Sequence, residues 1–312
     1  MIISSITGGL GNQLFQYAMG RRLAEHHGVE LLLDTANYGP QGEARPVALK
    51  DYVRPLALKQ FKIKAGAATP DQIRSLKDDF TTKSTRDRVV RQVRRLLPSF
   101  LRKKSHIIEH QFRFQPEALS FQSPAYLQGF WQSEKYFADI APIIREEFCL
   151  KDDSISRAAI HRVDELRSKH GVVVSLHVRR GDLAHAQENL KQPKLTHAAP
   201  VTRDYIRAAM NRFSLDVCFY VFSDSEKDIH WCRENIQALN LEFSSAESDL
   251  YDFASMTACD HHIIANSSFS WWAAWLDANP MTRVIAPKEW ALHNPAFPIT
   301  TEDLLPQRWE VI

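Results

Sequence analysis

The chain has 312 residues, 44% hydrophobic and 24% charged, with a net charge of +2; that length suits two ordinary domains, and so balanced a charge supplies no global field for nucleic acid. The opening residues lack the regions of a signal peptide, and no apolar run approaches the roughly 20 residues of a membrane span. Cys149, Cys218, Cys232 and Cys259 are scattered without C-x-x-C spacing, so the expectation is a cytoplasmic, bacterial protein with reduced, buried thiols and neither a zinc site nor a disulfide framework.

In chain order, residues 2–7 read as a strand, 8–12 as a glycine-rich turn, 13–27 as a helix and 29–34 as a second strand, the repeating β-turn-α-β element of a doubly wound sheet. A long polar stretch over 37–104 reads as irregular. Strands are expected at 105–110 and 125–129, and helices at 134–147 and 154–170. The second half repeats the grammar: strand 171–177, helix 202–213, strand 217–223, helix 225–240, a short helix at 252–257, strand 262–265, helix 270–278 and strand 283–286. Two α/β halves joined near Lys169 imply a cleft, with domains expected over 1–168 and 169–312.

The apolar run from Val172 to Val178 leads directly into Arg179, Arg180, Gly181 and Asp182. Ligands of parallel sheets collect at the carboxyl ends of strands, and a guanidinium there suits paired phosphate oxygens. Asp182 reads as an orienting partner for an arginine; a plain ion pair capping the strand is the alternative. In the opening turn, Gly9 and Gly11 followed by Asp34 resemble a dinucleotide fingerprint, but Leu14 stands where the third glycine belongs. The turn instead offers backbone amides at a helix start, with the amides of Asn12 and Gln13 directed to the cleft, able to hold a phosphate or a sugar hydroxyl. A tight turn with no ligand fits it as well.

Near the C-terminus, residues 260–275 read as strand, polar turn and helix. Ser267 or Ser268 is placed to cap the helix and to bind an anion with its first amides. Trp271, Trp272 and Trp275 fall at helical spacing and read as core rather than as a sugar platform. Asp252 can accept from the ring and exocyclic nitrogens of a purine, or cap a helix.

Taken in order, Gly8–Ala18, Tyr126–Phe137, His177–Asp182, Phe222–Asp224 and Asp252–Trp275 resemble the bacterial α-1,2-fucosyltransferases of glycosyltransferase family 11. The resemblance implies a GT-B-like fold, two Rossmann-type domains facing across a cleft, the first on the acceptor side and the second holding GDP-fucose. It implies that Arg179 grips the β-phosphate and that His177 helps place the nucleotide or its phosphates. Asp252 aligns with an acid that holds guanine, Ser267, Ser268 and Phe269 with the segment wrapping the diphosphate, and Asn12 with a group that approaches the fucose from across the cleft. Arg179, Asn12 and His177 are thus the expected catalytic residues. Arg180, Asp182, Asn266 and Gly11 complete the expected donor site.

The expected reaction is inverting transfer of L-fucose to the 2-OH of a galactoside, with GDP-fucose as donor substrate. Asp224-Ser-Glu226 only approximates the metal-holding Asp-x-Asp pattern, so no metal or other cofactor is expected. Glu109, Asp182, Glu188 and His197 are the proton acceptors on offer for the general base. Glu109, Trp131 and His197 are the acceptor-side candidates; for Trp131, sugar stacking and core packing both stand. The expected partners are GDP-fucose and a galactose-containing oligosaccharide or lipid-linked glycan, with no nucleic acid. Residues 83–104 interleave basic and apolar side chains, a pattern that suits peripheral contact with an anionic membrane or a solvated helix. A noncatalytic GDP-sugar-binding protein and a fucosyltransferase of another linkage are the alternatives.

Overall fold

The structure, a computed structural model, describes residues 1–39, 55–78, 104–109, 113–180, 201–245, 248–290 and 302–312. The chain forms two compact units, Met1–Phe148 and Cys149–Ile312.

The first unit contains β1 (Ile2–Ser5), α1 (Leu10–His27), β2 (Leu31–Asp34), β3 (Gly66–Ala67), α2 (Pro70–Leu76), β4 (His106–Ile108), β5 (Ala125–Gln128) and α3 (Ala141–Glu147). The strands form one sheet in the order β3-β2-β1-β5-β4, every pair parallel. Residues Ile2–Ser5 are buried along their whole length, as a strand in the middle of a parallel sheet must be. Helix α1 starts at Leu10, three residues before the expected position, so Gly11 and Asn12 belong to its first turn rather than to the preceding loop. It ends where Gly28 turns left-handed at φ 59° and donates to the carbonyls of Ala24 and Glu25, a conformation that glycine adopts without a Cβ penalty. The helix expected over 134–147 is instead two short 3-10 turns followed by α3, with a proline in the first turn of α3.

The second unit contains α4 (Asp153–His170), β6 (Val173–Val178), α5 (Arg203–Met210), β7 (Cys218–Ser223), α6 (Glu226–Asn235), β8 (Asn240–Phe243), α7 (Asp249–Ala258), β9 (His261–Ile263), α8 (Ser268–Leu276), β10 (Val284–Ala286) and β11 (Glu310–Val311). Its sheet runs β11-β10-β9-β6-β7-β8, again all parallel. Helix α4 lies in this unit, so the division falls some twenty residues before the expected 168/169 junction. The reason is local: Arg167 of α4 donates to Asp260 and to the Ala258 carbonyl, and Asp260 accepts from the Val173 amide. These bonds tie α4 to the starts of β6 and β9.

Both sheets reverse direction once. In the first, the chain builds β1 to β3 outward on one side and then adds β4 and β5 on the other, so the switch lies between β1 and β5. In the second, β7 and β8 extend one side of β6 while β9 to β11 extend the other, so the switch lies between β6 and β9. Crevices outside the carboxyl ends of strands at such points are the usual ligand sites of open α/β sheets. Trp271, Trp272 and Trp275 are all buried and pack on one another, with the Trp271 indole donating to the Leu304 carbonyl, as their spacing predicts. Cys218, Cys232 and Cys259 are buried, whereas Cys149 is exposed, against the expectation of four buried thiols. No described helix is long and apolar enough to cross a membrane.

Candidate functional site

The second unit gathers its polar side chains at its switch point. Strand β6 ends at Val178, and the next residue, Arg179, reaches across to β9's following loop, where its Nη1 lies 3.5 Å from Ser267 Oγ. Ser267 is the N-cap of α8, accepting from the Phe269 amide at 3.3 Å. Of the two capping candidates the structure selects Ser267, with Ser268 as the first helical residue. A serine hydroxyl has two acceptor positions and one donor. Since Arg179 and the Phe269 amide occupy the acceptor positions, the remaining capacity of buried Ser267 is its O–H. Guanidinium and hydroxyl donor therefore converge at the start of a helix, an arrangement suited to an anion.

His177 lies one strand step before Val178, buried, with Nδ1 lacking a hydrogen-bond partner and its ring 6.1 Å from Phe269. Burial pushes its pKa down to about 3, aided by the Arg179 charge, so the imidazole is neutral and carries one donor and one acceptor. Asn266 donates to the Trp290 carbonyl at 3.3 Å while its buried Oδ1 has no partner. Two unmet polar atoms beside one arginine mark a place where a ligand can supply what the protein does not.

From Phe269 the site continues to Phe253 on α7, at 5.3 Å between ring centres. The neighbouring Asp252 is buried and accepts the Ser244 hydroxyl at 2.5 Å. It does not cap α7, whose N-cap is Ser248. Burial raises the Asp252 carboxyl to about 6, with Asp249 adding to the rise and the Ser244 bond opposing it. A desolvated acceptor of this kind, reached by aromatic side chains from a phosphate-type site, suits the edge of a base.

Arg180 turns elsewhere. Its guanidinium stacks 3.8 Å from the centre of the Trp231 ring on α6 and sits 4.0 Å from Asp228. The structure thus places it on α6 and not with Arg179 and Ser267, a correction to the expected pair of phosphate ligands. Asp182 and His197, like Glu188, lie outside the described residues, as do 83–103 of the basic segment.

In the first unit, the switch point is occupied by the loop after β1 and the loop after β5. Asn12 Oδ1 accepts from Gln132 Nε2 at 2.8 Å. Gly8, at φ 80°, passes under Asn12 so closely that a Cβ would lie 2.8 Å from Asn12 Nδ2. Gln13 is buried and turned into the protein, against the expectation that its amide is directed to a cleft. Its amide donates to the carbonyls of Gly8 and Pro55 and accepts from the Leu58 amide, so it fastens the loop to the chain at 55–58. Gly11 is buried within the first helical turn.

Glu109, beyond β4, accepts the Phe130 amide on Oε2 at 2.6 Å and the Trp131 amide on Oε1 at 3.1 Å. Burial pushes its carboxyl above the ordinary range, with the two amides pulling the other way. With each oxygen accepting a backbone amide, the Glu109 carboxylate braces the turn at 130–131. Trp131 is 1% exposed and packs edge-on against Tyr136, which settles it as core rather than a sugar-stacking surface. It also adopts φ 55° with its buried indole N–H unpartnered. The left-handed backbone costs about 1–3 kcal/mol, and the unmet donor about the same again. Sequence reasoning missed Gln132, since nothing in its neighbourhood signals a partner 120 residues away.

The family model described as Glycosyl transferase family 11 matches residues 56–310. Alpha-1,2-colitosyltransferase of Escherichia coli is 28% identical, covering 99% of this chain and 98% of its own length. O-antigen biosynthesis glycosyltransferase WbnK of Escherichia coli is 27% identical over 96% of this chain and 98% of its own. Galactoside alpha-(1,2)-fucosyltransferase 2 of Mus musculus is 30% identical over 47% of this chain and 43% of its own.

Proposed function

From the premise that the chain belongs to glycosyl transferase family 11, we propose that it is an inverting α-1,2-fucosyltransferase, moving L-fucose from GDP-β-L-fucose to the 2-OH of a galactoside during synthesis of a glycan of the O-antigen or capsule kind. The observation that carries this reading is the meeting of Arg179 with the Ser267 hydroxyl at the start of α8, at the switch point of the second sheet. Similarity to a galactoside alpha-(1,2)-fucosyltransferase and to an O-antigen glycosyltransferase supports the linkage and the product class.

In this reading the acceptor O2 forms a bond to C1 of fucose as the bond from C1 to the β-phosphate oxygen breaks. The electron pair leaves with GDP, the O2 proton is released, and the configuration at C1 inverts. Negative charge grows on the β-phosphate, where Arg179 and the Ser267 O–H donate to it. Fixed donors aimed at developing charge are worth about 3–4 kcal/mol for a single group. Neutral His177 contributes a hydrogen bond without adding charge repulsion beside Arg179, and Asp252 as carboxylate accepts from guanine N1–H and its exocyclic amine. Asn12 contacts the transferred sugar. No metal is required for this set of donors to act.

A colitosyl donor is the second reading, favoured by the full-length similarity to a colitosyltransferase. Colitose is L-fucose lacking the C3 hydroxyl, so the same phosphate chemistry serves both. The deciding experiment measures GDP release in EDTA from GDP-L-fucose, GDP-colitose and GDP-mannose, with and without lactose and N-acetyllactosamine, followed by NMR of the product linkage. Acceptor-dependent release from GDP-L-fucose with a Fucα1-2Gal product is the expected result. Release from GDP-colitose alone transfers the assignment to the second reading, and turnover that EDTA abolishes overturns metal independence.

A further inference from the structure

We infer that Gln132 is a positioning residue for Asn12, fixing which end of the Asn12 carboxamide is turned away from the β5 loop; this rests on the reading of Asn12 as a contact of the transferred sugar. The hydrogen bond joins the first turn of α1 to the loop that follows β5, the two segments that flank the first sheet's switch point. It commits Asn12 Oδ1 to Gln132 at 2.8 Å, and the Asn12 amine lies on the other side, above Gly8. The end of the carboxamide turned away from Gln132 is thus the amine.

The loop that carries Gln132 is held in a specific shape. Glu109 takes the two successive amides of Phe130 and Trp131, and the Trp131 carbonyl accepts the Ser133 amide at 2.8 Å. Trp131 at φ 55° turns the chain between these anchors, so the direction in which Gln132 leaves the backbone is set by a brace from a third strand end. Strained backbone and an unmet buried indole N–H at one turn, beside a switch point, are the features expected where geometry serves a ligand rather than the fold. Glu109 thus acts on Asn12 at one remove, through Gln132.

The test compares Asn12→Ala, Gln132→Met and Gln132→Glu, reading kcat, the donor KM and the thermal midpoint. Asn12→Ala is expected to lower kcat about 100-fold. Gln132→Met keeps the length and removes the donor, and is expected to lower kcat about tenfold, the worth of one hydrogen bond, with the thermal midpoint near that of the parent. Gln132→Glu places a carboxylate oxygen against Asn12 Oδ1 and turns the amide around. Its kcat falls further than that of Gln132→Met at about pH 8 and recovers relative to the parent only as pH falls toward about 4.3, the ordinary pKa at which half of the new carboxyl has a proton to donate. Parent-like kcat for Gln132→Glu at high pH, with Asn12→Ala impaired, overturns the inference and leaves the Asn12 reading standing. Parent-like kcat for Asn12→Ala overturns the reading itself.

Discussion

The guanidinium of Arg180 lies 3.8 Å from the centre of the Trp231 ring, while its neighbour Arg179 reaches Ser267. Consecutive residues leaving an extended strand point in opposite directions, so one arginine faces the switch-point crevice and the other lies on α6. A second guanidinium, that of Arg203 at the start of α5, stands 5.5 Å from the same indole. The pair of arginines is therefore split between the start of α8 and the face of α6.

That division predicts unequal effects. Arg179→Lys keeps the charge and loses the planar fork, and is expected to reduce kcat by about 100-fold with the fold intact. Arg180→Lys retains a cation above Trp231 and is expected to cost less than about tenfold in kcat/KM, with part of the loss seen as a lower thermal midpoint. Steady-state kinetics and melting of both variants decide it; equal loss in kcat would place Arg180 on the phosphates.

Asp252 predicts a pH dependence of nucleotide binding. Its carboxyl titrates at about 6 because it is buried. Above that pH it is an acceptor for guanine donors, and below it the proton must first be expelled, so GDP affinity should fall about tenfold for each unit below about 6. Folding carries the opposite sign. A raised carboxyl contributes stability below its ordinary range and loses it as pH rises through about 6. Calorimetric titration with GDP from about pH 5 to 8 checks the first and thermal melting over the same range the second, with Asp252→Asn as the pH-flat control for each.

Much of the second unit is legible in the sequence because its signals are local. The apolar run of β6 announces a strand covered on both faces, Arg179 follows it, and Ser267 precedes an apolar helix. Elements without a local signal are missed. Strand β8 is half-buried along its length and has no apolar run, so the helix expected over 225–240 extends through its start, although α6 ends at Asn235 where Ile236 becomes extended. Helix α2 carries a complete capping box from Thr69 and Gln72. With Leu76 alone buried, it shows no apolar stripe and reads as loop. The relationships that shape the first unit's site, Glu109 to the Phe130 and Trp131 amides and Gln132 to Asn12, join residues far apart in the chain. Only tertiary packing brings them together.

Glu109 predicts a stability effect separable from titration in solution. Glu109→Gln replaces one oxygen with an amine, which opposes an amide N–H with another donor and leaves a partly buried amide unmet. A loss of about 1–3 kcal/mol is expected, a drop of roughly 2–12 °C for a unit of this size. If Glu109 were instead a general base, Glu109→Gln would remove turnover with no change in melting, so calorimetry beside kinetics separates the roles.

Gly8 offers the last prediction, and it concerns the same carboxamide from its opposite side. A side chain at φ 80° costs about 1–2 kcal/mol, and the new Cβ would stand 2.8 Å from Asn12 Nδ2 and 3.4 Å from its Cβ. Asn12 is short and lies in the first turn of α1, so it has no slack to yield without rotating its amide away from Gln132. Gly8→Ala should lower the melting temperature and reduce kcat by more than the stability loss explains. In a double-mutant cycle, Asn12→Ala on the Gly8→Ala background should then cost far less than on the parent, because the geometry it removes is already lost. Additive effects would mean that Gly8 serves the turn alone, through its backbone and through the Tyr38 and Gln13 bonds to its carbonyl.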